Sequence, residues 1–462
     1  MDKKVINFFK EIKNKKIAFC GIGTSNFPLI KMFLKYGAIV YACDRKQRDE
    51  LNEAAEYLDS LGVKLVLGEN YLENLDVDIV FRTPGMNYNL PALQKMRKNG
   101  IVITSEMEVF FELCPCKIIA VTGSDGKTTT TSIIAEILKE SGKTVHLGGN
   151  IGNPLLPVIE SIETDDIAVV ELSSFQLISM RKSPDIAVIT NVAPNHLDVH
   201  KDMDEYILSK KNIFLHQNAF SKTVINADNE ITASFISEIR GDVLSFSRKQ
   251  CVENGVWLDE NNIMYCDHGN TVKIMDKNDI KIPGMHNVEN YMAAICAVYG
   301  FTTVDCIKKV AQNFNGVEHR AEFVREIDGV KYYNDSIASS PTRTILGTLS
   351  LYNERIIIIS GGYDKKIPFD ELGDVICKKV KTLILLGATA DKIEKAVVNS
   401  KNYNNNVLKI IRVKNMEEAV NVAKEVAISG DIVSLSPACA SFDLYKNFDE
   451  RGKHFKQIVN AI

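Results

Sequence analysis

No stretch of this sequence is apolar for long enough to cross a bilayer, and its N-terminus carries lysines without a sustained apolar run or cleavage signal. Membrane-spanning and secreted classes are set aside, and a cytoplasmic protein is expected. The net charge of −4 supplies no field that would gather nucleic acid. There is no internal repeat and no low-complexity linker, so the domains are expected to sit close together. The 10 cysteines are scattered, and Cys114-Pro115-Cys116 has one residue too few between its sulfurs for the usual redox or zinc pair. Free thiols in a reducing compartment are the economical reading. The single tryptophan, Trp257, lies among short strands and is assigned to packing.

What is present is an ordinary globular composition, 45% apolar and 25% charged, over a length of 462 residues. One core does not usually grow that far, so about two to four domains are expected. The organising stretch is Ile118-Ile119-Ala120-Val121-Thr122-Gly123-Ser124-Asp125-Gly126-Lys127-Thr128-Thr129. An apolar β-branched run stops at a glycine turn, and a helix-capable segment begins at Lys127. That order of strand, loop and helix suits a nucleoside triphosphate. Backbone N–H groups of Gly123, Ser124, Asp125 and Gly126 can face phosphate oxygens, and the helix start adds positive potential. Lys127 would neutralise the outer phosphates, and the Thr128 or Thr129 hydroxyl would reach magnesium. Val121 replaces the first glycine of the common spacing. Threonines are poor helix formers, so four in a row after such a turn speak for function over a plain surface turn.

Upstream, the strand Lys16–Cys20, the loop Gly21-Ile22-Gly23-Thr24-Ser25-Asn26, a helix through Tyr36 and a strand ending at Asp44 form a Rossmann-like unit. Asp44 could take a ribose hydroxyl. A dinucleotide, another nucleoside phosphate and a structural turn stand equal on these residues. Arg82-Thr83-Pro84-Gly85-Met86 sits at a strand's carboxyl end, where α/β sheets bind ligands. Downstream, one apolar strand delivers Glu171 and another delivers Asn191, Asn195 and His196. Glu171 and His196 suit a divalent metal near a triphosphate; either one alone would read as a turn carboxylate or a packed histidine. Lys210 reads as a solvent-facing helix charge. Hairpin signals stand at Glu253-Asn254-Gly255 and Asp267-His268-Gly269-Asn270. His319-Arg320 could neutralise phosphate or carboxylate, though a surface pair fits equally. Lys365 follows a strand-end loop. Alternating strands and helices throughout give an α/β fold, with domains at 1–112, 113–316 and 317–462. Such modules suggest a ligase that activates a carboxylate as an acyl phosphate for attack by an amine.

Taken together, the chain resembles the ATP-dependent Mur ligases of bacterial peptidoglycan assembly. The resemblance rests on Thr122 to Thr129, Glu171-Leu172-Ser173-Ser174-Phe175-Gln176-Leu177, Asn195-His196-Leu197-Asp198, Glu318-His319-Arg320, Asn334-Asp335-Ser336 and Ser436-Pro437-Ala438-Cys439-Ala440-Ser441-Phe442-Asp443. The second and last of these favour the member that adds D-glutamate over those adding L-alanine, a diamino acid or a dipeptide. The resemblance implies three domains: a Rossmann-like first, a central ATPase-like P-loop domain, and a Rossmann-like last. It implies ATP and Mg2+ as cofactors, with UDP-N-acetylmuramoyl-L-alanine and D-glutamate as substrates. It further implies that Glu171 ligates a metal near ATP, that His196 ligates a second near the acyl phosphate, and that Thr128 reaches magnesium. Lys210 matches a lysine carbamylated by carbon dioxide, which would make it a metal ligand. Asn150 and Ser173 match contacts to the muramoyl substrate, and His319 matches a histidine holding the acyl phosphate and incoming amine. Asn287, Asn290, Arg320 and Asp335 would line the nucleotide. Lys365, Ser441 and Phe448 would hold D-glutamate. Thr24, Ser25, Asp44 and Arg45 would hold uridine and its diphosphate, with Gly85 beside them, so the first loop becomes a UDP-sugar site.

Two departures stand in the amino-acid part of the site. Ile337 occupies a position where family members often have lysine, so a cation there must come from Arg343, Lys366 or nowhere. Lys365 and Lys366 stand where relatives commonly show a glycine before one lysine. A folylpolyglutamate-synthase-like ligase, a NAD-dependent dehydrogenase built on Gly21-Ile22-Gly23, and a nucleotide-regulated binding protein without catalysis are the competing readings. No nucleic-acid partner and no stable membrane association are expected, and the chain is expected to act as a monomer.

Overall fold

The computed structural model describes residues 1–23, 26–51, 53–195 and 199–462. It divides into two compact units: residues 1–279 with 288–311, and residues 280–287 with 312–462. Among the described residues, no helix is long and apolar enough to cross a membrane.

The first unit holds two sheets. One is entirely parallel, with β1 (Lys16–Cys20), β2 (Ile39–Asp44), β3 (Lys64–Leu67), β4 (Ile79–Arg82) and β5 (Val102–Thr104) in the order β3-β2-β1-β4-β5. The order reverses between β1 and β4, which opens a crevice at their carboxyl ends. The second sheet comprises β6 (Lys117–Thr122), β7 (Val145–Gly149), β8 (Ile167–Glu171), β9 (Ile186–Ile189), β10 (Lys222–Asn226), β11 (Asp242–Ser247), β12 (Gly255–Asp259), β13 (Asn262–Asp267) and β14 (Asn270–Asp276). Its order is β14-β13-β12-β11-β10-β9-β6-β8-β7. Central strands β6, β8 and β9 are buried on both faces, which is why they read as continuous Ile, Val and Ala runs.

One buried cluster joins the two sheets of this unit. The helix Glu106–Leu113 contributes Met107, Phe110 and Phe111, which share a core with Phe19, Phe33 and Phe81 and with Leu155, Leu156 and Ile159. Phe19 stacks on Phe81 at 4.9 Å and meets Phe33 edge-on at 5.2 Å. The helix Lys127–Glu140 buries Ile133, Ile134, Ile137 and Leu138. Its threonines have a structural task that the sequence reading left out. Thr129, Thr130 and Thr131 are buried; the Thr130 hydroxyl donates to Asn290 Oδ1 at 3.2 Å and that of Thr131 to Lys127 O at 2.8 Å. Both bonds give a buried hydroxyl a partner.

One of the two expected hairpins forms. β13 and β14 pair antiparallel around Asp267 and Asn270. Glu253-Asn254-Gly255 is not a turn of that kind, because β11 and β12 run parallel. Gly255 has φ 128° and its Cα lies against the backbone of Ser245, so the glycine serves close approach between strands. The hairpin sits one strand later, at Glu260 and Asn261, between β12 and β13.

The second unit contains β15 (Glu322–Ile327), β16 (Val330–Asn334), β17 (Ile356–Ser360), β18 (Val380–Leu385), β19 (Lys409–Arg412) and β20 (Ile432–Leu435). Their order is β15-β16-β20-β17-β18-β19, with β15 antiparallel at the edge and the others parallel. β17 reads Ile356-Ile357-Ile358-Ile359 because helices cover both faces. Ile356 and Ile358 join one core with Leu372 and Ile376, while Ile357 and Ile359 join another with Val420 and Phe455.

Candidate active site

The loop after β6 is held from the side by the segment after β9. Ser124 N donates to Asn191 O at 2.9 Å and Asp125 N to Asn191 Oδ1 at 3.0 Å. Thr190 Oγ1 donates to Asp125 O at 2.6 Å, and Ser124 Oγ lies 2.9 Å from both Ala193 O and Tyr206 Oη. Gly126 caps the following helix with φ 78°, and a side chain there would collide with Asn290 Oδ1. Only glycine satisfies both demands cheaply. Lys127 Nζ folds back onto Gly123 O and Ser124 O, each at 2.9 Å. Thr128 is half-buried at the helix start whereas Thr129 is buried, which favours Thr128 for an ion at the loop mouth.

Lys210, Glu171 and Asn290 stand against this loop, and Ser173 follows Glu171 by two residues. Lys210, in the helix Met203–Lys211, is 1% exposed, so its solvent-facing reading is corrected. Its Nζ donates to Gly123 O at 2.7 Å and reaches Thr122 Oγ1 at 3.4 Å. Burial, helped by the positive charge of Lys127, pushes this amine well below the ordinary lysine range. Glu171 ends β8 beside the loop. Its Oε1 accepts Asn150 Nδ2 at 2.6 Å, and its buried Oε2 has no hydrogen-bond partner among the described residues. An orphaned buried carboxylate oxygen is a natural cation ligand. Ser173 caps a short helix: its Oγ accepts Gln176 N at 3.3 Å, and Gln176 Oε1 accepts Ser173 N at 2.9 Å. Asn290 completes the loop's back wall through Thr130. His196 lies outside the described residues, as do Thr24 and Ser25.

At the carboxyl edge of the first sheet, Asp44 braces the glycine loop: Oδ2 accepts Ile22 N at 2.7 Å and Oδ1 accepts Lys46 N at 3.0 Å. Arg45 is exposed and paired with Glu69 at 3.0 Å, and Gly85 is exposed with open space around it. A cavity of about 150 Å³ opens at the β1/β4 crevice, lined among others by Asn26, Arg82, Glu106, Asn150 and Gln176. Arg82 is buried there without a carboxylate ion pair among the described residues. Its Nη2 donates to Ser179 Oγ at 2.6 Å and Phe175 O at 3.0 Å, while Nε has no partner. Burial lowers its guanidinium below the usual range. Glu106 Oε1 accepts both Leu155 N and Leu156 N at 2.8 Å, and burial pushes its carboxyl up to about 7.

The second unit carries the remaining candidates. His319, at φ 62°, is buried with both ring nitrogens engaged: Nδ1 faces Asn334 Nδ2 at 2.8 Å and Nε2 faces Asp449 Oδ1 at 3.1 Å. Asn334 donates, so the imidazole proton sits on Nε2 and points at Asp449. Glu318, His319 and Asp449 have donor atoms within 4.8 Å of one another, but Lys456 and Lys453 already pair with the two carboxylates. Asp335 is buried, accepts Thr348 Oγ1 at 2.6 Å, and is pushed up to about 6 by burial. Arg320 is exposed, and Asn287 Nδ2 donates to Pro283 O at 2.6 Å. Lys365 and Lys366 are both exposed, Ser441 is buried, and Phe448 opens the helix Phe448–Ala461 within 6.0 Å of the His319 ring. Ile337 leaves its position without a cation, and Arg343 reaches only its carbonyl, at 3.4 Å.

The sequence places Arg82 in a strand-end segment without giving its side chain a role, and it leaves three other residues unnoticed. Arg451 is buried on Ser336 and the carbonyls of Cys439 and Ala440, with its guanidinium lowered to about 10 by burial. His200 is stacked on Phe175 and bonded to Ser174 Oγ at 2.9 Å. Glu106 hid behind the helix-start pair Ser105 and Glu108.

Comparison with known proteins gives matches to the family descriptions "Mur ligase middle domain" over residues 121–298 and "Mur ligase, glutamate ligase domain" over residues 319–439. The UDP-N-acetylmuramoylalanine–D-glutamate ligase of Acetivibrio thermocellus is 53% identical over 465 residues, covering 100% of both chains. That of Clostridium acetobutylicum is 53% identical over 469 residues, again covering 100% of both. Among solved structures, UDP-N-acetylmuramoyl-L-alanyl-D-glutamate–2,6-diaminopimelate ligase aligns with a TM-score of 0.57 at 17% identity, over 98% of this chain and 93% of that one. At that identity it speaks for the fold alone.

Proposed function

The chain belongs to the Mur ligase family, and on that premise we propose that it joins D-glutamate to UDP-N-acetylmuramoyl-L-alanine at the expense of ATP. The observation that carries the reading is the Lys210 amine buried against the Gly123 carbonyl of a phosphate-type loop. Residues 1–112 take the UDP substrate, 113–316 take ATP, and 317–462 take the amino acid. The reaction belongs to the cytoplasm, where ATP is made and used.

The alanyl carboxylate attacks the γ-phosphorus of ATP, the bond to the bridging oxygen breaks, and ADP leaves. The D-glutamate nitrogen then attacks the acyl phosphate, loses a proton, and phosphate departs. Lys127 exchanges its two carbonyl partners for phosphate oxygens, and the loop N–H groups and helix start hold the rest of that charge. Magnesium fits the donor set, since Glu171 Oε2 is buried without a partner and Thr128 stands at the helix start; bound there, it would neutralise phosphate charge. Asn150 orients the Glu171 carboxylate and, with Ser173, faces the muramoyl end. Burial lowers the proton affinity of the Lys210 amine, which favours its addition to carbon dioxide, with an N–C bond formed and a proton released. The resulting carbamate, with His196, is proposed to complete a second metal site.

Asn287, Asn290, Arg320 and Asp335 are assigned to the nucleotide, and Lys365, Ser441 and Phe448 to D-glutamate. Thr24, Ser25, Asp44, Arg45 and Gly85 are assigned to the UDP moiety. His319 acts on the acyl phosphate and amine from a tautomer fixed by Asn334. The test is a product assay with UDP-N-acetylmuramoyl-L-alanine, ATP, Mg2+ and D-glutamate, L-glutamate or D-aspartate in turn. UDP-linked dipeptide, ADP and phosphate are expected with D-glutamate. Dipeptide formed from another amino acid and not from D-glutamate would overturn the substrate assignment.

A further inference from the structure

The joint between the helix Glu106–Leu113 and strand β6 is the sequence Cys114-Pro115-Cys116, which the ligase chemistry leaves unused. Cys114 ends the helix with φ −57° and ψ 122°, and the chain bends at Cys116 before β6 begins. The two sulfurs lie 3.5 Å apart. Cys114 Sγ also reaches Cys116 O at 3.7 Å. The two thiols are unlike: hydrogen bonding from Cys116 holds the Cys114 thiol below its ordinary range, and the same bond together with burial raises Cys116. Two unlike thiols in sulfur-to-sulfur contact are the arrangement of an attacking and a resolving sulfur.

We propose that Cys114 and Cys116 are a reversible oxidation site, closed to an intrachain disulfide by a hydroperoxide. The Cys114 thiolate attacks one peroxide oxygen, the O–O bond breaks, and the departing hydroxide takes the thiol's proton to become water. The Cys116 sulfur then attacks the Cys114 sulfenic acid, the S–O bond breaks, and a second water leaves with the Cys116 proton. Two thiols are oxidised and one peroxide is reduced. The bond would close across a single intervening residue, and a dithiol is expected to reopen it by thiol–disulfide exchange. It would tie the end of the helix from the first sheet's layer to the first residues of the strand that leads into the phosphate loop.

The folded enzyme is treated with hydrogen peroxide, unfolded, alkylated and digested. The exposed lone thiol Cys251 reports that oxidant was delivered. A peptide containing residues 114–116, unalkylated and two hydrogen masses lighter, is expected, and dithiothreitol should restore its alkylation. In Cys116→Ser the Cys114 sulfenic acid loses its resolving partner and should be trapped by dimedone, which wild type should not show. Full alkylation of both cysteines after Cys251 has been oxidised would overturn the proposal, as would over-oxidation of Cys114 without a disulfide. If Cys116→Ser fails to fold, the wild-type peptide decides by itself.

Discussion

Lys210 Nζ donates a 2.7 Å hydrogen bond to the carbonyl oxygen of Gly123, from a side chain that is 1% exposed. An ammonium in that place costs desolvation free energy and meets the charge of Lys127, and both push the amine well below the ordinary lysine range. This pair of residues ties a helix of the second sheet's layer to the loop expected to hold phosphate.

Lys210→Ala is expected to cut turnover by at least about a hundred-fold, the scale of losing one charge-stabilising group. Acetate or propionate should restore part of it by supplying the missing carboxylate. Carbon-13-labelled bicarbonate should give a carbamate signal in wild type that the variant lacks. Full activity of the variant without added acid would defeat the assignment.

Lys127→Ala is expected to abolish product formation, by about a thousand-fold or more in kcat, while the fold survives. Thermal unfolding checks the second half of that statement. The loop's outer clamp comes from Thr190 and Asn191, not from the Lys127 amine, so it should persist.

Arg82→Met removes the donors to Ser179 Oγ and Phe175 O from a buried site. A loss of about 2–4 kcal/mol in unfolding free energy is expected, read by urea denaturation. Phe175 follows Ser173 and Ser174, so KM for the UDP substrate should rise more than kcat falls. Arg82→Lys should recover part of the stability and less of the KM, since one ammonium cannot span both acceptors.

Glu106 titrates upward, from an ordinary 4.5 to about 7. Between those values the unfolded chain binds fewer protons than the folded one, so this group's contribution to stability is fully present below about pH 4.5 and is lost as pH rises to about 7. The swing is at most about 3 kcal/mol. Glu106→Gln keeps an oxygen for Leu155 N and Leu156 N without the charge. Its unfolding free energy should exceed wild type at pH 8 and depend less on pH between 5 and 7. An unchanged pH slope in denaturation curves would refute this.

The phosphate loop, the alternating strands and the ends of β6, β8 and β9 were legible because each is written in consecutive residues: β-branched runs that stop at Gly, Glu or Asn. Lys210 read as a surface charge because its helix has polar neighbours, and only the packing of β6 beside it reveals its burial. Arg82, Glu106 and Arg451 take their meaning from carbonyls and amides 93, 49 and 115 residues away. No local pattern encodes those partners. Gly255 misled for a related reason: a glycine after Asn signals a turn locally, while its use here is to let two parallel strands touch. The resemblance carried His196, Thr24 and Ser25, whose placement lies outside the described residues.

The clamp on the phosphate loop has a thermodynamic consequence. Thr190, Asn191 and Ser124 fix the loop through bonds made when the chain folds, so a nucleotide arriving later need not order that backbone. The entropy of ordering has been absorbed beforehand, and only the Lys127 side chain has to be recruited. Affinity for a phosphate group should then depend weakly on temperature-driven loop disorder and strongly on whether the ligand can draw that one amine off its carbonyls. Molecules that fill the loop without displacing Lys127 would bind as spectators, and those that recruit it would bind as substrates do.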